Sequence, residues 1–197
     1  MRDILKPAAV LLVVCVVVSA ALAFTYSITK VTIKERALLE AEEARREVQE
    51  AAERFEILDD FESLKEGRPE LDAVKEAYTG FKGNNATGHV FAIVVKGYGG
   101  DLKMTVGIDL SGNITGVKIG ENSETPGLGS KVTEDNFLVQ FQGINPQNPL
   151  KVVKTEGTRP EEIDAVSGAT ISSRAVVSGV QAAAEASRLI RQDKAGG

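Results

Sequence analysis

The chain has 197 residues, 43% of them hydrophobic, and a formal net charge of −5. This length suits one domain with an appendage, and the negative charge argues against nucleic acid as a partner, because phosphate backbones attract positive surfaces. Cys15 is the single cysteine and there is one histidine, so an internal disulfide is impossible and no metal or iron–sulfur site is expected from this chain alone.

The first predicted element is an apolar helix at residues 7–28. This run carries no charged side chain, and about 20 apolar residues suffice to cross a bilayer. Arg2 and Lys6 precede it, which favours a cytoplasmic tail at residues 1–6, an anchor surrounded by membrane lipid, and a translocated C-terminal domain. A cleaved signal peptide is the alternative, since Ala21-Leu22-Ala23 fits a cleavage site. The apolar run continues past that site and favours the uncleaved anchor.

Residues 29–69 are predicted to form a stalk helix and a linker. From Lys34 to about Leu58 the chain is charged and has no glycine or proline, and apolar residues recur at spacings of three and four, which predicts a helix. The stripe has two interpretations: it packs against a partner in a complex, or it lies on the chain's own domain. Its members are Ala41, Ala44, Val48, Ala51, Phe55 and Leu58.

Residues 70–192 are predicted to form an α+β domain, an antiparallel sheet with packed helices, followed by a tail at 193–197. A short helix is expected near 71–78. Helices are also expected at 133–142 and 171–192 from the spacing of apolar residues. Strands are expected where β-branched residues or a period of two occur, at 90–95, 102–108, 114–119 and 150–154.

Two polar, glycine-rich runs lie at element boundaries. The first is Glu-Thr-Pro-Gly-Leu-Gly-Ser-Lys at residues 124–131. Pro126 fixes φ, while Gly127 and Gly129 allow tight backbone that can approach a ligand closely. Spacing alone favours a simpler interpretation, a loop that joins a strand to a helix.

The second run, residues 164–174, ends where the closing helix begins. Thr170 or Ser172 could cap that helix, which would explain the hydroxyls without a ligand, and the local pattern alone favours this cap. The same helix start offers unpaired N–H groups that stabilise a phosphate. Gly168 and Ala169 leave room beside the backbone, and Thr170 supplies an oxygen to which phosphorus could be attached.

Together, in this order and behind one apolar helix, the two runs resemble a known family. The chain resembles the G subunit of the Rnf complex, the membrane ferredoxin:NAD oxidoreductase, which is related to the C subunit of the sodium-pumping NADH:quinone reductase. The family's flavin-attachment pattern is Asp, three residues and Gly-Ala-Thr. Here it is matched by Asp164-Ala165-Val166-Ser167-Gly168-Ala169-Thr170.

The resemblance implies that FMN is joined to Thr170 by a phosphoester bond, which a flavin transferase makes from FAD with Mg²⁺ and release of AMP. Thr170 would be the acceptor, and no residue of this chain would be catalytic. Asp164 and Ser167 would be recognised by the transferase or would position the loop, and the charge of Lys131 suggests a pair with the phosphate. The other cofactor-binding residues would be Glu124, Thr125, Gly127, Leu128, Gly129, Gly168 and Ala169.

By the same resemblance, the chain is a redox subunit, inactive alone, that relays electrons in a complex coupled to Na⁺ or H⁺ movement. Its partners would be the other membrane and peripheral Rnf subunits, with the domain in the periplasm or on the outer surface. Apart from Cys15, the apolar helix has no ionisable residue between Pro7 and Phe24, so the ion path is not expected in this chain.

Two alternatives stay open at this point. One is the C subunit of the sodium-pumping NADH:quinone reductase, which the short length disfavours. The other is a non-redox anchored module that assembles the partners of a complex. Family members often carry a histidine just before the first run, where this chain has Asn122 or Ser123, and this departure weakens any expectation of a proton relay beside the flavin ring.

Overall fold

The computed structural model describes residues 2–146, 148–154, 157 and 159–196, with only the backbone described at 2–5, 31 and 194–196. The chain forms two compact units, Met1–Ala41 and Glu42–Gly197.

The first unit consists of the greater part of helix α1 (Arg2–Val48). Its large apolar side chains are exposed, as at Leu22 (66%) and Phe24 (69%). Helices of water-soluble proteins bury most side chains of this kind. By length and composition α1 qualifies as a membrane-spanning helix. The predicted apolar helix is therefore confirmed as a helix.

Helix α1 ends at Val48, ten residues before the predicted end near Leu58. Strand β1 (Arg54–Ile57) follows and pairs antiparallel with strand β2 (Val74–Lys82), so the prediction of a helix through Phe55 is wrong. The cause is tertiary: the Glu53 N–H donates to the Phe81 carbonyl, and strand pairing supplies backbone partners that outweigh a modest helix propensity.

The second unit contains a five-stranded antiparallel sheet in the order β1-β2-β3-β4-β5. The remaining strands are β3 (Asn85–Lys96), β4 (Asp101–Asp109) and β5 (Ile114–Asn122), so the strands expected at 90–95, 102–108 and 114–119 are confirmed. The helix predicted near 71–78 is wrong: a 3₁₀ turn covers Pro69–Leu71, and β2 then begins because it can pair with β3. A short helix, α2 (Phe61–Lys65), precedes that turn.

Between β5 and the last helix the chain makes short elements. The single helix predicted at 133–142 is replaced by a 3₁₀ turn (Gly129–Thr133), helix α3 (Asp135–Leu138) and a second 3₁₀ turn (Val139–Phe141). The residues expected to face inward, Phe137, Leu138 and Phe141, are buried. Strands β6 (Lys151–Val153) and β7 (Glu162–Asp164) then form a parallel pair.

Helix α4 (Thr170–Gly196) closes the domain, as predicted, and packs on one face of the sheet. Gly179 lets it come close, since a Cβ there would lie 2.6 Å from Met104 Sδ. The α+β class is confirmed. The predicted tail at 193–197 is helical through Gly196, and Gly197 lies outside the described residues.

The end of α1 lies against the sheet face turned away from α4. A Cβ at Gly107 would collide with the Val48 carbonyl, one at Gly116 would lie 3.1 Å from Val48 Cα, and one at Gly88 would lie 2.6 Å from Gln49 Nε2. Thr115 Oγ1 contacts the Val48 carbonyl oxygen and lies 2.7 Å from Gln49 Oε1. We call this contact, in which Val48 and Gln49 are 2% and 1% exposed, the junction.

The turn between β4 and β5 borders the junction. Asp109 accepts two hydrogen bonds from Asn113, from the backbone N–H at 2.9 Å and from Nδ2 at 2.8 Å. Burial alone would raise the pKa of the Asp109 carboxyl, but the hydrogen bonds from Asn113 and from the backbone at Ser111 and Gly112 outweigh it and lower the pKa below its ordinary value.

Candidate functional site

Three segments that are distant in sequence enclose a cavity of about 470 Å³. They are the turn between β3 and β4, the loop after β5 and the start of α4. We call this cavity the recess. It is lined by Tyr98, Glu124, Thr125, Leu128, Gly129, Gly168, Ala169, Thr170, Ile171 and Ser172. Both glycine-rich runs of the sequence therefore meet at one place.

Thr170 is the first residue of α4 and is half-exposed. The main-chain N–H groups of Thr170, Ile171 and Ser172 have no hydrogen-bond acceptor within the part of the chain that the structure describes. The preceding turn depends on Gly168, whose φ of +79° is a conformation that a residue with a Cβ rarely adopts. The helix start thus presents free donors beside a hydroxyl.

The cap interpretation does not hold for either hydroxyl. Thr170 Oγ1 makes no hydrogen bond among the described residues, and Ser172 Oγ donates to Glu124 Oε2 at 2.8 Å. The turn before the helix is instead held by Ser173, whose hydroxyl accepts from the Val166 N–H and donates to the Ala169 carbonyl, both at 3.0 Å. The Thr170 hydroxyl is therefore available to another group.

Glu124 forms the polar floor of the recess and is 7% exposed. Its Oε1 accepts from the Tyr98 N–H at 2.8 Å and from the Gly99 N–H at 3.4 Å, and its Oε2 accepts from Ser172. A Cβ at Gly97 or at Gly129 would overlap a carboxylate oxygen. The second glycine of the first run therefore makes room for a buried carboxylate.

Large apolar side chains surround the mouth of the recess. Tyr98, Leu128 and Ile171 are 69%, 49% and 56% exposed, although such side chains are mostly buried in folded proteins. An apolar rim above a polar floor suits a flat ring system with polar edges. Tyr98 and Ile171 were not predicted; a tyrosine inside the glycine-rich turn Gly97-Tyr98-Gly99-Gly100 is the sequence signal that could have indicated the first of them.

The structure brings together most of the residues proposed from sequence. Glu124, Thr125, Leu128 and Gly129 line the recess with Gly168, Ala169 and Thr170. Gly127 lies in the same loop at φ +76°, and its N–H donates to Ser130 Oγ at 2.9 Å.

Three predicted residues lie elsewhere. Lys131, Ser167 and Asp164 line a second depression, next to α3. Asp164 is held there by Gln140, whose Oε1 accepts the Asp164 N–H at 2.8 Å, and by the Gly157 N–H, which donates to Asp164 Oδ1 at 2.8 Å. Lys131 follows Gly129 into the 3₁₀ turn and does not line the recess. Its contact with a phosphate in the recess therefore stays a prediction.

The recess fits a flavin nucleotide. Its volume falls within the range of about 300–1,000 Å³ that holds small ligands. Free N–H groups at the start of a long helix suit a phosphate, and the exposed apolar rim suits a flat ring. The fold and this site define a flavin-binding domain that follows an apolar helix.

Comparison with protein families agrees with that class. The family model described as FMN-binding domain matches residues 97–185, a range that includes the whole recess. Among solved structures, the C subunit of the Na⁺-translocating NADH-quinone reductase of Parabacteroides distasonis is 21% identical with a TM-score of 0.49, over 59% of this chain and 61% of that one.

Two relatives match nearly end to end. The G subunit of the Na⁺-translocating ferredoxin:NAD⁺ oxidoreductase complex of Acetobacterium woodii is 36% identical over 91% of this chain and 89% of its own length. The G subunit of the ion-translocating oxidoreductase complex of Methanosarcina acetivorans is 35% identical over 93% and 94%. The chain belongs to the family of G subunits of ion-translocating oxidoreductase complexes. It is thus one component of a multi-subunit membrane complex, and its domain binds FMN.

Proposed function

We propose that the chain carries FMN covalently, as a phosphoester of Thr170, and relays electrons within a ferredoxin:NAD oxidoreductase complex. One observation carries the attachment site: the Thr170 hydroxyl has no partner among the described residues and lies at a helix start inside the recess. A cap or a packed core hydroxyl would be hydrogen-bonded.

The proposed attachment reaction needs no catalytic residue of this chain. The Thr170 oxygen forms a bond to the phosphorus of the FMN half of FAD, the anhydride bond breaks, and AMP leaves with the threonine proton in solution. A separate flavin transferase with Mg²⁺ would supply the catalysis. Asp164 and Ser167, which precede α4, are placed outside the recess where such an enzyme could contact them.

The recess then holds the product through its own groups. The unpaired N–H groups of residues 170–172 and the partial positive charge of α4 would stabilise the phosphate. The apolar side chains of Leu128 and Ile171 would cover the faces of the ring. The flavin supplies the redox chemistry, and the protein fixes its position. A covalent bond prevents loss of the cofactor outside the cytoplasm.

The ion to which the complex is coupled is inferred from the names of the relatives. The Acetobacterium protein is named for Na⁺ translocation, and a Clostridium ljungdahlii relative, 36% identical over 58% of this chain and 61% of its own length, for proton translocation. We propose that this chain serves a complex coupled to one of these ions. Residues 7–28 contain no ionisable side chain except Cys15 and Tyr26, so the ion path is expected in other parts of the complex.

Intact mass tests the attachment. Full-length chain is co-expressed with a flavin transferase and compared with Thr170→Ala and with Ser178→Ala, which removes an exposed hydroxyl further along α4. The wild type and Ser178→Ala should gain the mass of one FMN less water and be yellow, and Thr170→Ala should gain nothing. An unmodified wild type would reject the proposal in favour of the non-redox assembly module, and a modified Thr170→Ala would show that the flavin is attached to another residue.

Topology is tested by labelling intact cells with a membrane-impermeant maleimide. In a Cys15→Ser background, a cysteine at exposed Glu134 should react from outside, and a cysteine at Lys6 should react only after lysis. The opposite pattern would place the domain in the cytoplasm. This experiment bears on the proposed orientation, with α1 in the lipid and the N-terminus inside.

A further inference from the structure

Glu124 holds the recess together, and its charge lies where the cofactor is expected. We propose that Glu124 is the positioning residue of the recess and that its negative charge lowers the reduction potential of the bound flavin. The second half of this statement rests on the proposed function, whereas the first concerns the chain alone.

The carboxylate joins segments that are far apart in sequence. Tyr98 is 26 residues before Glu124 and Ser172 is 48 residues after it. All three hydrogen-bonding partners are donors, so the carboxyl group serves only as an acceptor, as an ionised carboxylate does. One side chain therefore fixes the turn between β3 and β4 relative to the start of α4, and with it the width of the recess.

The surrounding backbone is shaped for this carboxylate. Gly97 and Gly129 lie on either side of it, and a Cβ at either would overlap Oε1 or Oε2. A side chain that is 7% exposed and held by three donors has little freedom to move. Glu124 thus keeps its place before any cofactor arrives, which is preorganisation of the site.

The charge has a second consequence. Reduction adds negative charge to a flavin, and Glu124 lines the same recess as the attachment residue Thr170. Glu124 is 7% exposed, so water screens its charge only weakly. Glu124 therefore opposes reduction, and an uncharged side chain of the same shape should make reduction easier.

The positioning role is tested on protein without flavin, in a Thr170→Ala background, by hydrogen exchange of the Tyr98 and Gly99 amides in the full chain. Glu124→Ala removes their acceptor, so both amides should exchange roughly tenfold faster. Glu124→Gln keeps a carbonyl oxygen there and should exchange at the rate of the Thr170→Ala parent. Glu121→Ala, which removes an exposed carboxylate paired with Lys103, is the control and should change nothing. Equal rates in Glu124→Ala and its parent would overturn the positioning role, as would a Glu124→Gln as fast as the alanine variant.

The charge is tested on flavinylated protein by spectroelectrochemical titration. Glu124→Gln should have a more positive midpoint potential than the wild type, by an amount equivalent to at least tenfold in the reduction equilibrium, which is about 30 mV for a two-electron couple. Glu121→Gln loses the same charge at an exposed position and should not shift the potential. Equal potentials for Glu124→Gln and the wild type would overturn the assignment. If the wild type takes up no FMN, the proposed function fails, and the exchange experiment still decides the positioning role.

Discussion

The recess and the junction are both built on glycines, and each set serves a different neighbour. At the junction, Gly107 and Gly116 admit the main chain at Val48, which is 2% exposed, and the contact is closed to solvent. At the recess, Gly97 and Gly129 admit the carboxylate of Glu124, and the cavity above it is open. The junction glycines therefore serve stability, and the recess glycines serve a ligand site.

The largest effect is expected at the junction. In Gly107→Ala the new Cβ meets the Val48 carbonyl and Thr115 Oγ1, and backbone cannot yield as a side-chain end can. We expect a loss of about 3 kcal/mol, the upper part of the range for overpacking, and a melting temperature lower by roughly 6–12 °C. Circular dichroism of the full chain in detergent measures this. Gly120→Ala, with its nearest contact at 3.9 Å, is the control on the neighbouring strand and should melt within about 2 °C of the wild type.

A smaller loss of stability is expected at the recess, together with a loss of function. In Gly129→Ala the new Cβ overlaps the Glu124 carboxylate, displaces it and breaks its bond to Ser172. We expect this overpacking to cost about 2 kcal/mol, more than the loss of the Ser172 hydrogen bond alone. Intact mass after co-expression with the transferase should show little or no flavin, whereas Gly107→Ala molecules that fold should still be loaded. If Gly129→Ala gains as much flavin as the wild type, Gly129 does not serve the ligand site, and the contrast between recess and junction glycines is wrong.

Ser172→Ala tests the recess with a milder change. It removes one of the three donors to Glu124 and leaves the two backbone donors, so we expect a loss of about 1 kcal/mol. Flavin loading should fall only partly, and the melting temperature by roughly 2–4 °C. Ser178→Ala, at an exposed hydroxyl on the same helix, is the control and should match the wild type in both measurements.

The smallest effect concerns pH at the turn beside the junction. The pKa of Asp109 is lowered in the folded state, so its contribution to stability is present above its unfolded value near 3.9 and is lost as the pH falls through the lower folded value. Asn113→Ala removes the Nδ2 donor, brings the two pKa values closer, and should flatten the fall of the melting temperature between about pH 5 and pH 2. A fall as steep as in the wild type would show that Asn113 does not set this pKa.

Local patterns predicted the elements that depend on local rules. The alternation in β4 and the alanine-rich spacing in α4 each predicted an element correctly, because burial of one face selects the period. The end of α1 and the start of β2 were predicted wrongly, because strand pairing with residues far along the chain decides them. No period-based rule reports such pairing.

The candidate site, too, could be predicted only in part from the sequence. The two glycine-rich runs were found from their composition, and the resemblance joined them. The resemblance predicts Glu124 only as a cofactor-binding residue. Its partners Tyr98 and Ser172 could not be predicted, because hydrogen bonds across 26 and 48 residues leave no mark on local spacing. Gly107 and Gly116 looked like ordinary strand residues, since the Val48 main chain that requires them lies on another element.

The half-exposed position of Thr170 bears on the order of events in maturation. Its hydroxyl lies at an open cavity in the finished fold, so a modifying enzyme needs no unfolding of the domain to reach it. Under the attachment proposed above, the precursor would therefore be a folded protein that is modified after folding. A cell short of riboflavin would then accumulate this precursor and could load it later without new synthesis.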